Sequence, residues 1–175
     1  MKLKKGVFPF ALEQGWKTAA FDCGCQALND FLRQRLARQQ QRNVLRAWTV
    51  ITSEPEPSVA GYYTLSGASF EKALFGDRKR QIPYASAPCI LLGRLAVDKP
   101  FAGRGIGSML VADAARRVYQ VARTVGVYAI FVEAKDERAA QFYQRLGFLP
   151  VEGADGRQRL FFPVNALAAL FLTAE

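Results

Sequence analysis

The sequence predicts an α/β fold in which a mixed central sheet carries flanking helices, and three observations predict it. Short apolar runs of strand composition, such as "CILLGRLAVD" and "VYAIFVEA", alternate with segments whose apolar residues recur every three or four positions. A glycine-rich stretch, "FAGRGIGSML", stands between one such run and the longest amphipathic segment. The chain has 175 residues, 50% of them hydrophobic, which suits one substantial core. Residues 1–175 therefore read as a single domain, without repeats or low-complexity tracts.

Each element follows from local pattern. "FDCGCQALNDFLRQRLARQQQRN" predicts a helical region, because Leu28, Phe31, Leu32 and Leu36 share one face while Arg33, Arg35, Arg38 and Arg42 occupy others. "VLRAWTVI" and "VAGYYTLS" predict a hairpin across "TSEPEPS", whose prolines and acids suit a turn. "GDRKRQIPYASAP" reads as a polar, basic loop before the buried strand "CILLGRLAVD". After the glycines, Ile106, Leu110, Val111, Ala114, Val118, Val121, Ala122 and Val125 predict a long helix closed by Gly126. "VYAIFVEA" predicts another strand, and "DERAAQFYQRLG" a short helix with Asp136 as N-cap and Gly147 at its end. "RQRLFFP" predicts the last strand.

Composition excludes whole classes of chemistry. The chain contains no histidine, so Ser-His-Asp and Cys-His nucleophiles, imidazole bases and histidine-bearing zinc sites are all absent. Cys23, Cys25 and Cys89 form an odd set without disulfide rhythm or zinc-ligand spacing, and read as ordinary buried or semi-buried thiols with no metal. No apolar run approaches a membrane span, and "MKLKKGVFPFALEQG" lacks the features of a secretory signal, so the expectation is a cytoplasmic protein with no membrane partner. The net charge of +9 is uneven: residues 1–50 hold nine Lys/Arg against three Asp/Glu. A polyanionic partner and a merely basic solvated face are both compatible with that excess.

The glycines at 103, 105 and 107 invite a ligand close to the backbone. A strand that enters a glycine turn and then a helix leaves several N–H groups without partners, where the helix dipole also favours negative charge. "GRGIG" is thus a candidate pyrophosphate cradle, with a purely structural turn as the competing explanation. It is not a Walker A loop, because the Lys-Ser/Thr ending is missing, and the pattern does not meet the Rossmann context.

Together with "FVEAKDERAAQFYQRLGFLP" about 35 residues further on, this order of strand, glycine turn, helix, strand and helix resembles the acetyl-CoA-binding half of the GNAT N-acetyltransferases. The resemblance implies the GNAT acyl-CoA N-acyltransferase fold, with two parallel strands that splay apart. It implies that Gly103, Arg104, Gly105, Ile106, Gly107 and Ser108 hold the cofactor pyrophosphate and that Leu95, Ala96 and Val97 line the pantetheine arm. Asp136 and Tyr143 complete the implied cofactor set. One departure is Ala102, where the family turn begins with Gln or Arg. From "FDCGCQALNDFL" through "VAGYYTLSG", "IPYASAP" and "FYQRLGF" to "LFFP", the chain is similar to the GNAT toxins of toxin–antitoxin pairs, the AtaT/TacT type. That likeness implies acetylation of the α-amino group of aminoacyl-tRNA, inhibition of translation, a homodimer, and a ribbon-helix-helix antitoxin through which alone DNA is met.

Such chemistry needs a neutral amine, a polarised thioester carbonyl and a proton for the departing thiolate. Tyr143 is the implied acid, and helical spacing places it on one face with Ala139 and Ala140. A packed aromatic with a satisfied hydroxyl is the plainer alternative. The amine of an ester-linked amino acid is less basic than an ordinary α-amino group, so no strong base is required. Water or Glu133 can accept its proton, Glu133 being equally readable as a strand-end carboxylate, and the Val97 amide can polarise the carbonyl. Arg33, Arg35, Arg38, Arg42 and Arg46, with Arg78, Lys79 and Arg80, form the set that could track tRNA phosphates. Arg94 lies inside a strand and needs a partner or ligand. Two rivals remain open: a GNAT enzyme for a small amine or a protein amino group, and a non-catalytic acetyl-CoA-binding module.

Overall fold

A computed structural model of the chain describes residues 1–151, 156 and 158–172. The strands are β1 (Lys2–Leu3), β2 (Phe8–Pro9), β3 (Arg46–Glu54), β4 (Val59–Glu71), β5 (Ser86–Val97), β6 (Ala129–Glu133), β7 (Leu149–Pro150) and β8 (Arg159–Pro163). The α-helices are α1 (Gln26–Asp30), α2 (Leu36–Gln41), α3 (Ile106–Ala122), α4 (Glu137–Arg145) and α5 (Val164–Leu172). The hydrogen-bonded strand order is β1-β3-β4-β5-β6-β8-β7, with β2 also on β3. β5 and β6 are parallel, whereas β1–β3, β2–β3, β3–β4, β6–β8 and β7–β8 are antiparallel. The mixed sheet with flanking helices is the architecture expected.

The chain divides into two compact units. The first comprises Met1–Ser66 and Gly93–Ala114. In its core Phe31, Leu32 and Leu36 of the helical region pack with Ala47, Val59, Tyr62 and Ala96 of the strands and with Phe10 and Phe21. The predicted helical face is therefore the buried one, and Leu28 is partly buried beside it. The regular helix begins only at Gln26, and a π-helical turn, Phe31–Arg35, joins α1 to α2. The Tyr62 hydroxyl donates to the Leu28 carbonyl at 2.7 Å, which pins α1 to β4.

The β3–β4 hairpin forms as expected, with register running from Arg46↔Leu65 to Val50↔Gly61 and a bulge before Ile51↔Val59. Its turn is shorter than "TSEPEPS" suggests, because Thr52–Glu54 belongs to β3, where Lys2 and Leu3 pair with Glu54 and Thr52. The Thr52 hydroxyl donates to the Glu56 carbonyl and accepts from the Ser58 amide, closing the turn. The start of α3 lies close on β4. A Cβ added at Gly61 would stand 3.3 Å from the Ala96 carbonyl oxygen and from Leu110 Cδ1, so a side chain here would crowd the strand and helix unless they shifted by a few tenths of an ångström.

The second unit comprises Gly67–Leu92 and Ala115–Glu175. Its core gathers Phe75, Ile82, Ala87, Cys89, Ala129, Phe131 and Phe161, with the Phe75 ring edge-on to Phe161 at 4.9 Å. The expected loop "GDRKRQIPYASAP" is partly structured: a 3-10 segment, Lys72–Gln81, kinks at Gly76, and β5 already begins at Ser86. Helix α3 stops at Ala122 rather than at Gly126. Its end is tied by turn bonds from Thr124 and Val125 to the Val121 carbonyl, and Gly126 is not among the left-handed glycines. Gly147 does end α4, with φ of 101° and its amide donating to Gln144. Of the last predicted strand, β8 covers Arg159–Pro163, and Arg157 lies outside the described residues. Among the described residues no helix is long and apolar enough to cross a membrane.

Candidate active site

The glycine turn is built as a strand-to-helix junction. β5 ends at Val97, a 3-10 turn spans Lys99–Phe101 with Phe101 buried, and α3 starts at Ile106, also buried. Between these two anchors Gly103 and Gly105 adopt left-handed φ values of 76° and 77°. An added Cβ at either would meet no atom within 4 Å, so the turn opens onto space that the protein does not fill. The first amide to donate back along the helix is that of Met109, which donates to the Gly105 carbonyl at 3.0 Å. Among the described residues, the amides of Gly103, Arg104, Gly105, Ile106, Gly107 and Ser108 donate to no protein acceptor. Six consecutive donors at a helix N-terminus are the kind of donor set that an anion cradle requires. Arg104 is exposed, its guanidinium 5.4 Å from the Phe101 ring centroid, and Ala102 is exposed at the mouth of the turn.

β5 presents a second set of backbone groups. Its parallel ladder with β6 pairs Cys89–Leu92 with Ala129–Val132, while β5 itself continues to Val97. The Asp98 amide donates to the Ala60 carbonyl of β4 at 2.9 Å. Alternation along an extended chain therefore turns the Val97 and Leu95 amides toward the opposite edge. Leu95 and Val97 are half-buried, whereas the Ala96 side chain is buried in the first core. Ala96 can thus offer a ligand only its backbone.

In the second unit, α4 carries the candidate acid. The Asp136 carboxylate accepts the Ala139 amide at 2.8 Å, the N-cap read from sequence. Ala140 and Tyr143 are buried on one face and Ala139 is half-buried, as the helical spacing requires. The Tyr143 ring packs edge-on against Phe142 at 5.1 Å and Phe148 at 5.3 Å. Burial pushes its phenol above the ordinary range, so the group is a neutral donor at any physiological pH. Among the described residues its hydroxyl makes no hydrogen bond to the protein. The hydroxyl is therefore available to a ligand or to solvent. Glu133 is exposed at the end of β6.

The basic residues fall into three situations. Arg35, Arg38, Arg42 and Arg46 are exposed, as are Arg78, Lys79 and Arg80 of the 3-10 segment. Arg33 is engaged: its guanidinium donates to the carbonyls of Phe21 at 2.8 Å and Ala19 at 3.4 Å and lies 3.6 Å from Asp30. Arg94 is half-buried, with its guanidinium stacked 3.7 Å from the Phe31 ring centroid. Burial lowers its pKa, and no carboxylate pairs with it among the described residues. Cys23 and Cys25 are half-buried thiols, and burial pushes the Cys89 thiol up to about 12. Sequence reasoning missed the polar cluster of Asp22, Asn29, Asp98 and Lys99 behind the turn. The Asp-Cys-Gly of "FDCGC" was its only local signal, an acid followed by glycine just before a helix.

Residues 58–150 match the model of the acetyltransferase (GNAT) domain. The tRNA-acetylating toxin of Mycobacterium tuberculosis (strain ATCC 25618 / H37Rv) is 35% identical over 129 residues, which is 74% of this chain and 76% of that protein. AtaT complexed with acetyl-methionyl-tRNAfMet superposes with a TM-score of 0.89 at 39% identity, covering 95% of this chain and 98% of that one. A tyrosine-to-phenylalanine mutant of AtaT bound to the C-terminus of the antitoxin AtaR and acetyl-CoA superposes with a TM-score of 0.83 at 36% identity, covering 98% and 99%. Junction, ladder and likeness agree: the chain belongs to the GNAT acetyltransferases, in the family of tRNA-acetylating toxins of toxin–antitoxin systems.

Proposed function

We propose that this chain transfers the acetyl group of acetyl-CoA to the α-amino group of an aminoacyl-tRNA and so inhibits translation. The observation that carries the reading is the row of six unoccupied amides from Gly103 to Ser108. Such a row suits a diphosphate, with Arg104 adding charge and Leu95, Ala96 and Val97 offering edge groups to the pantetheine amides. The exposed amide edge at Val97 would polarise the thioester carbonyl.

The chemistry balances without an imidazole. The neutral amine attacks the carbonyl carbon, the C–S bond breaks, and the sulfur takes the proton of the Tyr143 hydroxyl to leave as free thiol. The new amide loses its proton to water or to Glu133, and solvent reprotonates Tyr143. The acceptor is an aminoacyl ester whose amine is substantially neutral near pH 7 to 8. Positioning of the tRNA falls to the exposed arginines Arg35, Arg38, Arg42 and Arg46, to Arg78, Lys79 and Arg80, and to Arg94, whose guanidinium stacks on Phe31 and pairs with no carboxylate among the described residues. Arg33 supports this set by holding the loop at Ala19–Phe21. We infer further, from the family resemblance, a homodimeric single-domain cytoplasmic protein restrained by a ribbon-helix-helix antitoxin through which alone DNA is met; what supports the antitoxin and DNA parts is that AtaT is bound by the C-terminus of AtaR and that the AtaT–AtaR complex binds DNA. The test incubates the protein with labelled acetyl-CoA and total tRNA, charged or deacylated. Label on the charged tRNA alone is the expected result; label on deacylated tRNA, on protein lysines or on small amines instead would overturn the acceptor assignment.

A further inference from the structure

The cradle is not held by its own side chains. Around Gly103 and Gly105 a Cβ would meet nothing within 4 Å, so the geometry of the turn depends on what fixes its two ends. Downstream, Ile106 and Leu110 are buried. Upstream, Phe101 is buried, the Asp98 carbonyl accepts the Phe101 amide at 2.9 Å, and the Lys99 carbonyl accepts the Ala102 amide at 3.1 Å. The step Asp98–Lys99 is thus the point from which the turn departs.

That step is stitched to one residue. The Asp22 amide donates to Asp98 Oδ1 and the Lys99 amide donates to the Asp22 carbonyl, both at 2.9 Å. The Asp22 carboxylate accepts the Gly24 amide at 2.9 Å and Asn29 Nδ2 at 3.0 Å, and lies 3.0 Å from Lys99 Nζ. Those three donors hold its pKa at about 2. Asn29 is a buried residue of α1, and its Oδ1 accepts the Cys23 amide at 2.9 Å. Arg33, one helical turn on, donates to the Phe21 carbonyl. The loop that carries Asp22 is therefore bonded on one side to the turn and on the other to the arginine-bearing helix.

We propose that Asp22 is a positioning residue for the cofactor cradle, fixing the Asp98–Lys99 step and tying it to the arginine-bearing helix. The inference rests on the cradle reading given above. The Asp22 amide and carbonyl hold the step directly, and the carboxylate acts through Gly24 and Asn29 by fixing the loop that presents them, while its exposed ion pair with Lys99 contributes little by itself.

The test is titration of acetyl-CoA into the full chain at a temperature well below its melting point, with kinetics alongside. Asp22→Ala is expected to weaken acetyl-CoA binding about tenfold. Asp22→Asn keeps an acceptor for Gly24 and Asn29 but sets an amide against Lys99, and is expected to weaken it about threefold to fivefold. Lys99→Met should change it by less than about threefold. In the same variants KM for acetyl-CoA should rise while kcat stays near wild type. A lower melting temperature with acetyl-CoA affinity within about twofold of wild type for both Asp22 variants would mean a merely structural role and overturn the proposal. Should Asp22→Ala not fold, Asp22→Asn decides. Failure of the wild type to bind acetyl-CoA would overturn the cradle reading itself, and this inference with it.

Discussion

Tyr143 is where residue-scale chemistry concentrates. Replacing it by Phe removes a hydroxyl with no protein partner and keeps the ring against Phe142 and Phe148. Tyr143→Phe should therefore melt no lower than wild type, while kcat falls about 100-fold or more at unchanged acetyl-CoA KM; stopped-flow or steady-state assays of thiol release check this. Its pH behaviour follows from burial. The folded-state pKa is raised above the unfolded value near 10, so the stability linked to Tyr143 is full below pH 10 and is lost as pH rises beyond it. No alkaline loss of kcat/KM from this group is expected below about pH 10, and a fall centred near pH 8 to 9 that Tyr143→Phe abolishes would contradict that. Asp22 has the opposite sign: its folded pKa of about 2 lies below the ordinary 3.8, so its contribution is present above about pH 4 and disappears as pH falls toward 2. Acid melts of wild type and Asp22→Asn should converge in that window. The buried placement of Tyr143 was legible because helical spacing sets it on one face with Ala140, whereas its role was suggested by the family resemblance alone. Arg33 was not, since the carbonyls it binds, at Ala19 and Phe21, lie fourteen and twelve residues away in the chain.

Among elements, the junction of β5 and α3 decides the reading. Gly105→Ala must hold φ near 77° with a Cβ, costing about 1–2 kcal/mol of stability, and it places that Cβ in the open space of the cradle. Acetyl-CoA affinity should fall by more than the loss of stability alone would produce, measured by calorimetric titration of the folded variant. Gly147→Ala is the control: it too is strained at φ 101° and meets Phe162 at 3.0 Å, yet it should destabilise without altering the affinity of the folded protein for acetyl-CoA. The strand, turn and helix order of the junction was readable because a run of buried-strand composition gives way, past the glycines, to apolar residues spaced by threes and fours. The helix end at Ala122 was not, because the apolar spacing runs on through Val125 while the Thr124 amide already closes a tighter turn onto Val121 and Gly126 takes no left-handed φ. β1, β2 and β7 escaped for a different reason: two-residue strands exist only through their neighbours and leave no pattern of their own. The π-helical turn at Phe31–Arg35 likewise keeps the same buried face and so leaves the sequence pattern intact.

For the whole molecule, charge is the property that the fold does not consume. The net +9 is weighted toward the first 50 residues, and most of those arginines stay exposed. Use of a polyanionic acceptor should depend steeply on salt: KM for aminoacyl-tRNA should rise about tenfold or more between about 50 and 200 mM salt. Acetyl-CoA affinity should change far less over that range. Reversal of charge at Arg35, Arg38 and Arg42 to Glu should mimic high salt for tRNA and leave acetyl-CoA binding unchanged. The most direct test of the central claim is mass spectrometry of the aminoacyl-adenosine that nuclease releases from charged tRNA after incubation with the protein and acetyl-CoA. An acetyl group on the α-amine, present with wild type and nearly absent with Tyr143→Phe, is the predicted result. An unmodified amine, or acetylation that Tyr143→Phe performs at the wild-type rate, would contradict the account.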